Sequence, residues 1–386
     1  MKIFLIGPVY PYRGGIAHQT TQLKITLDRL GHAATVISYH RQFPKFLYKG
    51  VSDKDPSNHP EKVEADFILD PLFPSTWKAT IKLIVEATPD IVIMQWWTTF
   101  WAIPYRFIAD ALNKRGITTT YLIHNVLPHE KKIWDLWLAK TALMHGKSFI
   151  TQSPDESKRL IEIIPRAKIY ESKLPVYRMF SKGGLEREQS RNLLRLPGDE
   201  IVLLSFGIVR AYKGVKNVIN ALGMLKKRGY APHYLIVGEF WEDEKSYHAL
   251  AAAQGVSEQV HIINRYVPDD EVKIYFSAAD ALIAVYVAGT QSAVVTVGLD
   301  FKLLILTTPK ISAGIDPVYA DQVVQIPPGD VHAIAEALTT LYQQPKKLKS
   351  KINEAPPDWE RFIGMIEKIV IEAHTDPTIT GDARNS

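Results

Sequence analysis

Short apolar runs rich in β-branched residues alternate along this chain with stretches of helical period, and that alternation stops once and then restarts. The first series of runs covers Lys2–Ile6 and residues 34–38, 90–94, 118–123 and 147–151. Strands separated by helices are the signature of βαβ units around a parallel sheet. Between the first two runs, Ile16, Thr20, Leu23, Leu27 and Leu30 recur at spacings of four and three before Gly31. They form one face of a helix that ends on a glycine. Ser153-Pro154-Asp155-Glu156 sets a hydroxyl cap, a first-turn proline and a third-position glutamate where another helix should start.

Residues 179–200 break the rhythm with Gly183-Gly184, many charges and Pro197-Gly198, and a domain boundary belongs there. The alternation resumes at 201–205, 234–237, Val260–Ile263, 281–285, 303–306 and 322–325. Helical patterns lie between these runs, among them 215–227 and 331–342, the latter behind Asp330 as a cap. A further amphipathic helix, 359–371, follows Pro356-Pro357. The expected plan is an N-terminal domain (1–190), a second domain (191–355), a C-terminal helix (356–373) returning toward the first domain, and a disordered polar tail (374–386). The charged, proline-containing stretch 52–64 reads as a surface loop over the first domain's ligand edge.

At 386 residues the chain exceeds the size at which a single core stops growing, and 46% apolar residues suffice for two. The net charge of +5 without long Lys/Arg blocks suits anionic ligands or an anionic membrane surface and argues against nucleic acid. No cysteine is present, which excludes disulfides, thiolate metal sites and a cysteine nucleophile and fits a reducing compartment. Residues 91–105 are interrupted by Gln95, Thr98, Thr99 and Pro104 and fall short of the roughly 20 residues a spanning helix needs. A cytoplasmic protein is expected, with peripheral contact at a membrane's inner face as an extension.

The stretch Phe206-Gly207-Ile208-Val209-Arg210-Ala211-Tyr212-Lys213-Gly214 lies between a strand and a helix. Such a loop reaches a sheet's carboxyl edge, and the helix N-terminus adds unpaired N–H groups. Two cations there suit a diphosphate that must leave, since they can neutralise charge on the leaving group; a nucleotide-sugar is the natural candidate, and a plain solvated turn is the alternative. Gly14 and Gly15 follow the first strand in a sequence that is neither GxGxxG nor a P-loop. His124 follows the fourth run at a strand end, where it can hydrogen-bond a sugar hydroxyl or move a proton; His129 stands beyond a proline turn at poor spacing for a shared metal. Trp96, Trp97 and Trp101 read as core packing before stacking platforms. Residues 289–292, Gly-Thr-Gln-Ser, suit phosphate contacts or helix capping. Glu239 can accept sugar or ribose hydroxyls, while Glu242, Asp243 and Glu244 read as a solvated helix start.

Together these residues resemble the retaining glycosyltransferases of family 4, over nearly the whole chain to about Ile371. The resemblance rests on Gly7 to Ala17 (Gly-Pro-Val-Tyr-Pro-Tyr-Arg-Gly-Gly-Ile-Ala), His124 to Glu130 (His-Asn-Val-Leu-Pro-His-Glu) and Arg210 to Gly214. It also rests on Gly238 to Trp241, Arg265 to Pro268 and Thr290 to Ser292. It implies a GT-B fold: two Rossmann-like, doubly wound parallel-sheet α/β domains facing a central cleft. It further implies donor diphosphate binding by Arg210 and Lys213, base contacts from the Arg265–Val267 loop including Tyr266, phosphate contacts near Gln291 and Ser292, leaving-group and acceptor contacts around Arg13, Gly14 and Gly15, and a reaction-centre role for His124. The implied partners are a nucleotide-diphosphate sugar and a glycan or lipid-linked acceptor, with retention of configuration and neither metal nor cofactor. Two departures stand out. The wider family has a pair of glutamates where this chain has Ala288 and Thr296, and the related subgroup's Thr-Gln-Ser-Gly and following Gly-Lys-Pro-Val are here Thr290-Gln291-Ser292-Ala293 and Phe301-Lys302-Leu303-Leu304. A non-catalytic GT-B-like subunit is the runner-up reading, and a nucleotide-sugar epimerase a weaker third.

Overall fold

The computed structural model describes residues 1–44, 50, 52–128, 132–344 and 356–375. His129, Glu130 and the tail beyond Thr375 lie outside the described residues. The chain forms two compact units, one of Met1–Asp55, Glu61–Pro175 and the segment from Pro357 onward, the other of Pro56–Pro60 and Val176–Pro356.

The first unit carries seven strands: β1 (Lys2–Ile6), β2 (Ala33–Tyr39), β3 (Asp66–Leu69), β4 (Ile91–Trp96), β5 (Thr119–Ile123), β6 (Ser148–Thr151) and β7 (Ile169–Glu171). Its helices are α1 (Gly15–Arg29), α2 (Pro74–Ala87), α3 (Ala102–Asn113), α4 (Asp135–Leu143) and α5 (Pro154–Ile163). The strands are all parallel, in the order β3-β2-β1-β4-β5-β6-β7. Every residue of β4 and β5 is buried, as strands covered on both faces must be. The edge strands β3 and β7 are short and partly exposed, with only three consecutive apolar residues in β3 (67–69) and two in β7 (Ile169 and Tyr170), too few for the sequence pattern to register them. Trp96 and Trp101 belong to the core, with Tyr39 and Trp101 ring centroids 4.4 Å apart, so packing accounts for both.

The second unit has six parallel strands: β8 (Val202–Phe206), β9 (His233–Val237), β10 (Val260–Ile263), β11 (Ala281–Ala284), β12 (Leu304–Thr307) and β13 (Val323–Gln325), in the order β10-β9-β8-β11-β12-β13. Its helices are α6 (Arg187–Leu194), α7 (Val215–Lys227), α8 (Lys245–Ala253), α9 (Val272–Ala278), α10 (Ala293–Asp300), α11 (Pro309–Ser312) and α12 (Val331–Gln343). The core-facing residues of α7, Val215, Val218, Ile219, Leu222 and Leu225, are buried against the sheet. Asp330 caps α12 by accepting from the Ala333 N–H at 2.9 Å.

Three local findings differ from the sequence reading. The 52–64 stretch is not a simple surface loop: Asp55 and Ser57 are buried. Lys54 pairs with Tyr12 in an isolated antiparallel bridge, and Ser57 Oγ accepts from the Asp269 N–H at 2.6 Å. The charged segment 179–200 holds helix α6, whose Arg191 is buried. Its guanidinium donates to four backbone carbonyls between 2.7 and 3.0 Å, those of Ala278, Pro197, Gly198 and Glu200, and to Asp280 at 2.6 Å. Donation from all three guanidinium nitrogens makes burial of that charge tolerable. The last helix, α13 (Asp358–Thr375), extends through the first two residues read as tail and belongs to the first unit. Trp359, Phe362, Ile363 and Ile366 are buried, and Glu372 accepts from the Tyr170 hydroxyl at 2.5 Å and pairs with Lys168 at 2.8 Å.

Candidate active site

In each sheet the strand order reverses at one point, between β1 and β4 in the first unit and between β8 and β11 in the second. Ligands of doubly wound folds bind outside the carboxyl ends of the strands at that point. The loops that sequence analysis singled out leave these strands, their neighbours β5 and β9, or β10 beyond β9.

In the second unit the β8 loop reaches η-turn residues Ala211–Lys213 and then α7. Gly214 has φ 71°, and a Cβ there would meet the Val285 carbonyl oxygen at 2.5 Å. Only glycine lets this loop lie against the end of β11. The two loops are joined: the Val287 N–H donates to the Tyr212 carbonyl at 2.7 Å, and the Tyr212 and Tyr286 rings meet edge to face at 5.8 Å. Tyr286 OH and Ser292 Oγ are 3.2 Å apart. Lys213 Nζ lies 5.6 Å from the Tyr286 ring centroid and 3.3 Å from the Phe206 carbonyl, to which it donates. Desolvation, and then the nearby Arg210 charge, pull the Lys213 ammonium down to about 8. Two cations on one desolvated loop at a strand end repel each other, and an anion bound there would relieve that repulsion.

The β9 loop closes the other flank. Arg210 stacks over Trp241, its guanidinium carbon 4.3 Å from the ring centroid. The indole N–H of Trp241 donates to Glu239 at 3.2 Å, and Val209 N–H donates to the Glu239 carbonyl at 2.9 Å. Gly238, at φ 145°, has room for no side chain: a Cβ would sit 2.2 Å from the Gly207 carbonyl oxygen. Glu242 is not a merely solvated helix residue. It accepts from the Ala211 N–H of the cation loop and from the Tyr247 hydroxyl, the latter at 2.6 Å. No local sequence signal distinguishes it from Asp243 and Glu244; its role comes from the meeting of two loops. The β10 loop adjoins through Asn264, which accepts from the Phe240 N–H at 3.0 Å. Arg265 there pairs with Glu271 and with the Tyr275 hydroxyl, and Tyr266 next to it is half-buried. Thr290 is buried and Gln291 half-buried just ahead of α10. Ser292 is the N-cap of that helix and makes no side-chain capping bond. Of the two positions where family 4 has glutamates, Ala288 is exposed and the Thr296 hydroxyl donates to the Ala293 carbonyl at 2.8 Å.

In the first unit Gly14 is the N-cap of α1 with φ 101° and no side-chain cap, so the helix presents backbone N–H groups beside Gly15. The Arg13 N–H donates to Asp53 at 3.1 Å, and Lys54 Nζ sits 3.1 Å from the Tyr12 ring centroid. His124 is anchored by its own N–H on the Trp96 carbonyl at 2.8 Å, and its Nε2 lies 2.6 Å from Gln95 Oε1. That contact places the proton on Nε2. Burial drives the imidazole down to about 3, so the ring is neutral. Gln95, which sequence analysis missed, is fully buried and also lies against Gly7, where a Cβ would come within 2.5 Å of its Cγ. A glutamine inside a strand otherwise apolar was the available signal. Arg210, Lys213, Glu239 and Ser292 are thus gathered in the second unit, while Arg13, Gly14, Gly15 and His124 belong to the first.

Residues 186–358 match the family described as Glycosyl transferases group 1, and residues 13–170 match Glycosyltransferase Family 4. No curated protein sequence matches the chain. Solved structures with the same fold include a glycosyltransferase from Rickettsia africae (TM-score 0.67, 16% identity, 99% of each chain covered). HepE of Anabaena in complex with UDP is similar at TM-score 0.62 and 16% identity, over 90% of this chain and 92% of that one. The catalytic domain of starch synthase IV from Arabidopsis thaliana, bound to ADP and acarbose, gives 0.67 and 12% identity over 97% and 99%. At these identities the likeness is one of fold, and the fold is GT-B.

Proposed function

We propose, for a GT-B chain whose first half is like Glycosyltransferase Family 4 and whose second half is like Glycosyl transferases group 1, that it transfers a sugar from a nucleotide-diphosphate donor to a hydroxyl of a glycan or lipid-linked acceptor, with retention of configuration. The observation that carries this reading is the convergence of Arg210 and Lys213 at the strand-order reversal of the second unit, with Lys213 depressed to about 8. A departing diphosphate brings negative charge to this pair, and the pair stabilises it as that charge develops. In this reading no divalent cation is needed. Glu239 takes donor hydroxyls, Tyr266 approaches the base, Gln291 and Ser292 approach phosphate, Gly15 contacts the donor's leaving group, and Arg13 and Gly14 serve the acceptor side. His124 acts as a hydrogen-bonding group at the reacting sugar; a ring with so low a pKa is too weakly basic to accept a proton efficiently near neutral pH. A place in the cytoplasm at the inner face of a membrane fits a lipid-linked acceptor.

The test is binding and turnover. A panel of UDP-, GDP- and ADP-sugars should include one that raises the thermal midpoint, since a native-state ligand stabilises by mass action. Each charge-assisted contact contributes about 1.5–3 kcal/mol, so Arg210→Ala with Lys213→Ala should weaken that donor more than about tenfold in a folded protein. Transfer should persist in excess EDTA. Unchanged affinity in the double variant, or strict metal dependence, contradicts the proposal. The non-catalytic reading is favoured by Ala288 and Thr296; donor binding without transfer or hydrolysis under any acceptor condition would establish it.

A further inference from the structure

Helix α4 is apolar on both faces: one packs into the core through Ala139, Ala142 and Leu143, and the other is uncovered. Its covered residues are Asp135, Ala139, Thr141, Ala142 and Leu143. The uncovered face carries the stripe Ile133, Trp137, Lys140 and Met144 at spacings of four, three and four, with Ile133 97% and Trp137 63% exposed; Trp134 and Leu136 are exposed beside it. Contiguous exposed apolar side chains of this size mark an interaction surface.

The exposed charges within 132–147 have one sign. Lys132, Lys140 and Lys147 are exposed, and Lys132 Nζ lies 5.5 Å from the Trp134 ring centroid. Asp135 is the sole acidic residue in 132–147, and it is buried, accepting from the Thr99 hydroxyl at 2.5 Å and the Lys132 N–H at 2.7 Å. On the neighbouring helix α3, Asp110 is engaged by Lys114 at 2.8 Å and His145 at 3.6 Å. A two-fold interface between copies must be self-complementary, and within 132–147 three exposed lysines stand against a single carboxylate, which is buried. A lipid surface meets every requirement. Tryptophan favours the headgroup level, Ile, Leu and Met enter the acyl boundary, and lysine amines remain among anionic phosphates.

We propose that the exposed face of α4 docks this protein on an anionic lipid bilayer, lying in the interface without crossing it; no described helix is long and apolar enough to span a membrane. The proposal rests on this face and not on the transfer reaction. The full chain should co-sediment with vesicles of phosphatidylglycerol in phosphatidylcholine and much less with phosphatidylcholine alone. Ile133→Glu with Trp137→Glu should abolish sedimentation while the thermal midpoint and donor-nucleotide affinity stay at wild-type values, because both positions are exposed and lie far along the sequence from the cation loop. Lys132→Gln and Lys140→Gln should each weaken binding to the anionic vesicles about fivefold. The proposal is overturned if the wild-type chain ignores anionic vesicles or if the double glutamate variant binds them as well as wild type does. It is equally overturned if light scattering shows a dimer that this variant dissociates, for the stripe then faces a second copy.

Discussion

Lys213 and His124 are both pushed away from their ordinary pKa values by burial, and the two shifts make opposite demands on solution pH. In the unliganded protein Lys213 loses its proton near pH 8, whereas a bound diphosphate favours the ammonium form. Donor affinity should therefore be constant below about pH 7 and fall as pH rises through 8, approaching tenfold per unit; Lys213→Ala should bind weakly and without that slope. Isothermal titration across this range decides it. For His124 the folded value of about 3 lies below the ordinary 6.5, so below 6.5 the unfolded chain binds a proton that the folded chain refuses. Stability contributed by the neutral ring is complete above 6.5 and is lost as pH falls toward 3. Relative to His124→Gln, the wild-type protein should lose stability on acidification by up to about a factor of ten in the folding constant per unit, read by denaturant melts at several pH values. Replacing His124 with alanine also strands the buried Gln95 carbonyl, so a cost of about 1–3 kcal/mol is expected, with a shift in midpoint that a surface histidine would not show.

Among the elements, strands and helices with a strong period were legible in the sequence. Buried β4 and β5 read as continuous apolar runs, α7 as a stripe, and Ser153 as a cap that accepts from the Glu156 N–H at 3.2 Å. Elements held by tertiary contacts were not: β3 and β7 gain strand geometry from a neighbour's ladder, and α6 is fixed by a buried arginine whose partners are four backbone carbonyls and the Asp280 carboxylate. The candidate site divides the same way. Its cations and glycines stood in the sequence between strand and helix, but Gln95 beneath His124 and Glu242 beneath the cation loop acquire meaning only where separate loops meet. The glycines give a direct check. Gly214→Ala forces a Cβ toward a backbone carbonyl from a left-handed φ, at a cost of about 1–3 kcal/mol. It should lower the thermal midpoint and weaken the donor together. Gly31→Ala, also at positive φ but with open space around it, should lower the midpoint and leave donor affinity unchanged.

At the scale of the molecule the chain leaves its first unit after Pro175 and returns to it at Pro357. A chain ending at residue 356 should therefore damage the N-terminal unit although it removes nothing from within 1–175. Loss of Trp359, Phe362, Ile363 and Ile366 from buried positions uncovers apolar surface at several kcal/mol. Limited proteolysis should then cut preferentially within 1–175, and adding back a peptide of residues 357–375 should restore resistance. The order of synthesis gives this topology a further consequence. Domains tend to fold as units while the chain emerges, yet here residues 176–356 leave the ribosome before α13 can seat itself on residues made long before. The unit begun first is completed last, and until then its exposed seam for α13 is a surface on which nascent chains can meet one another.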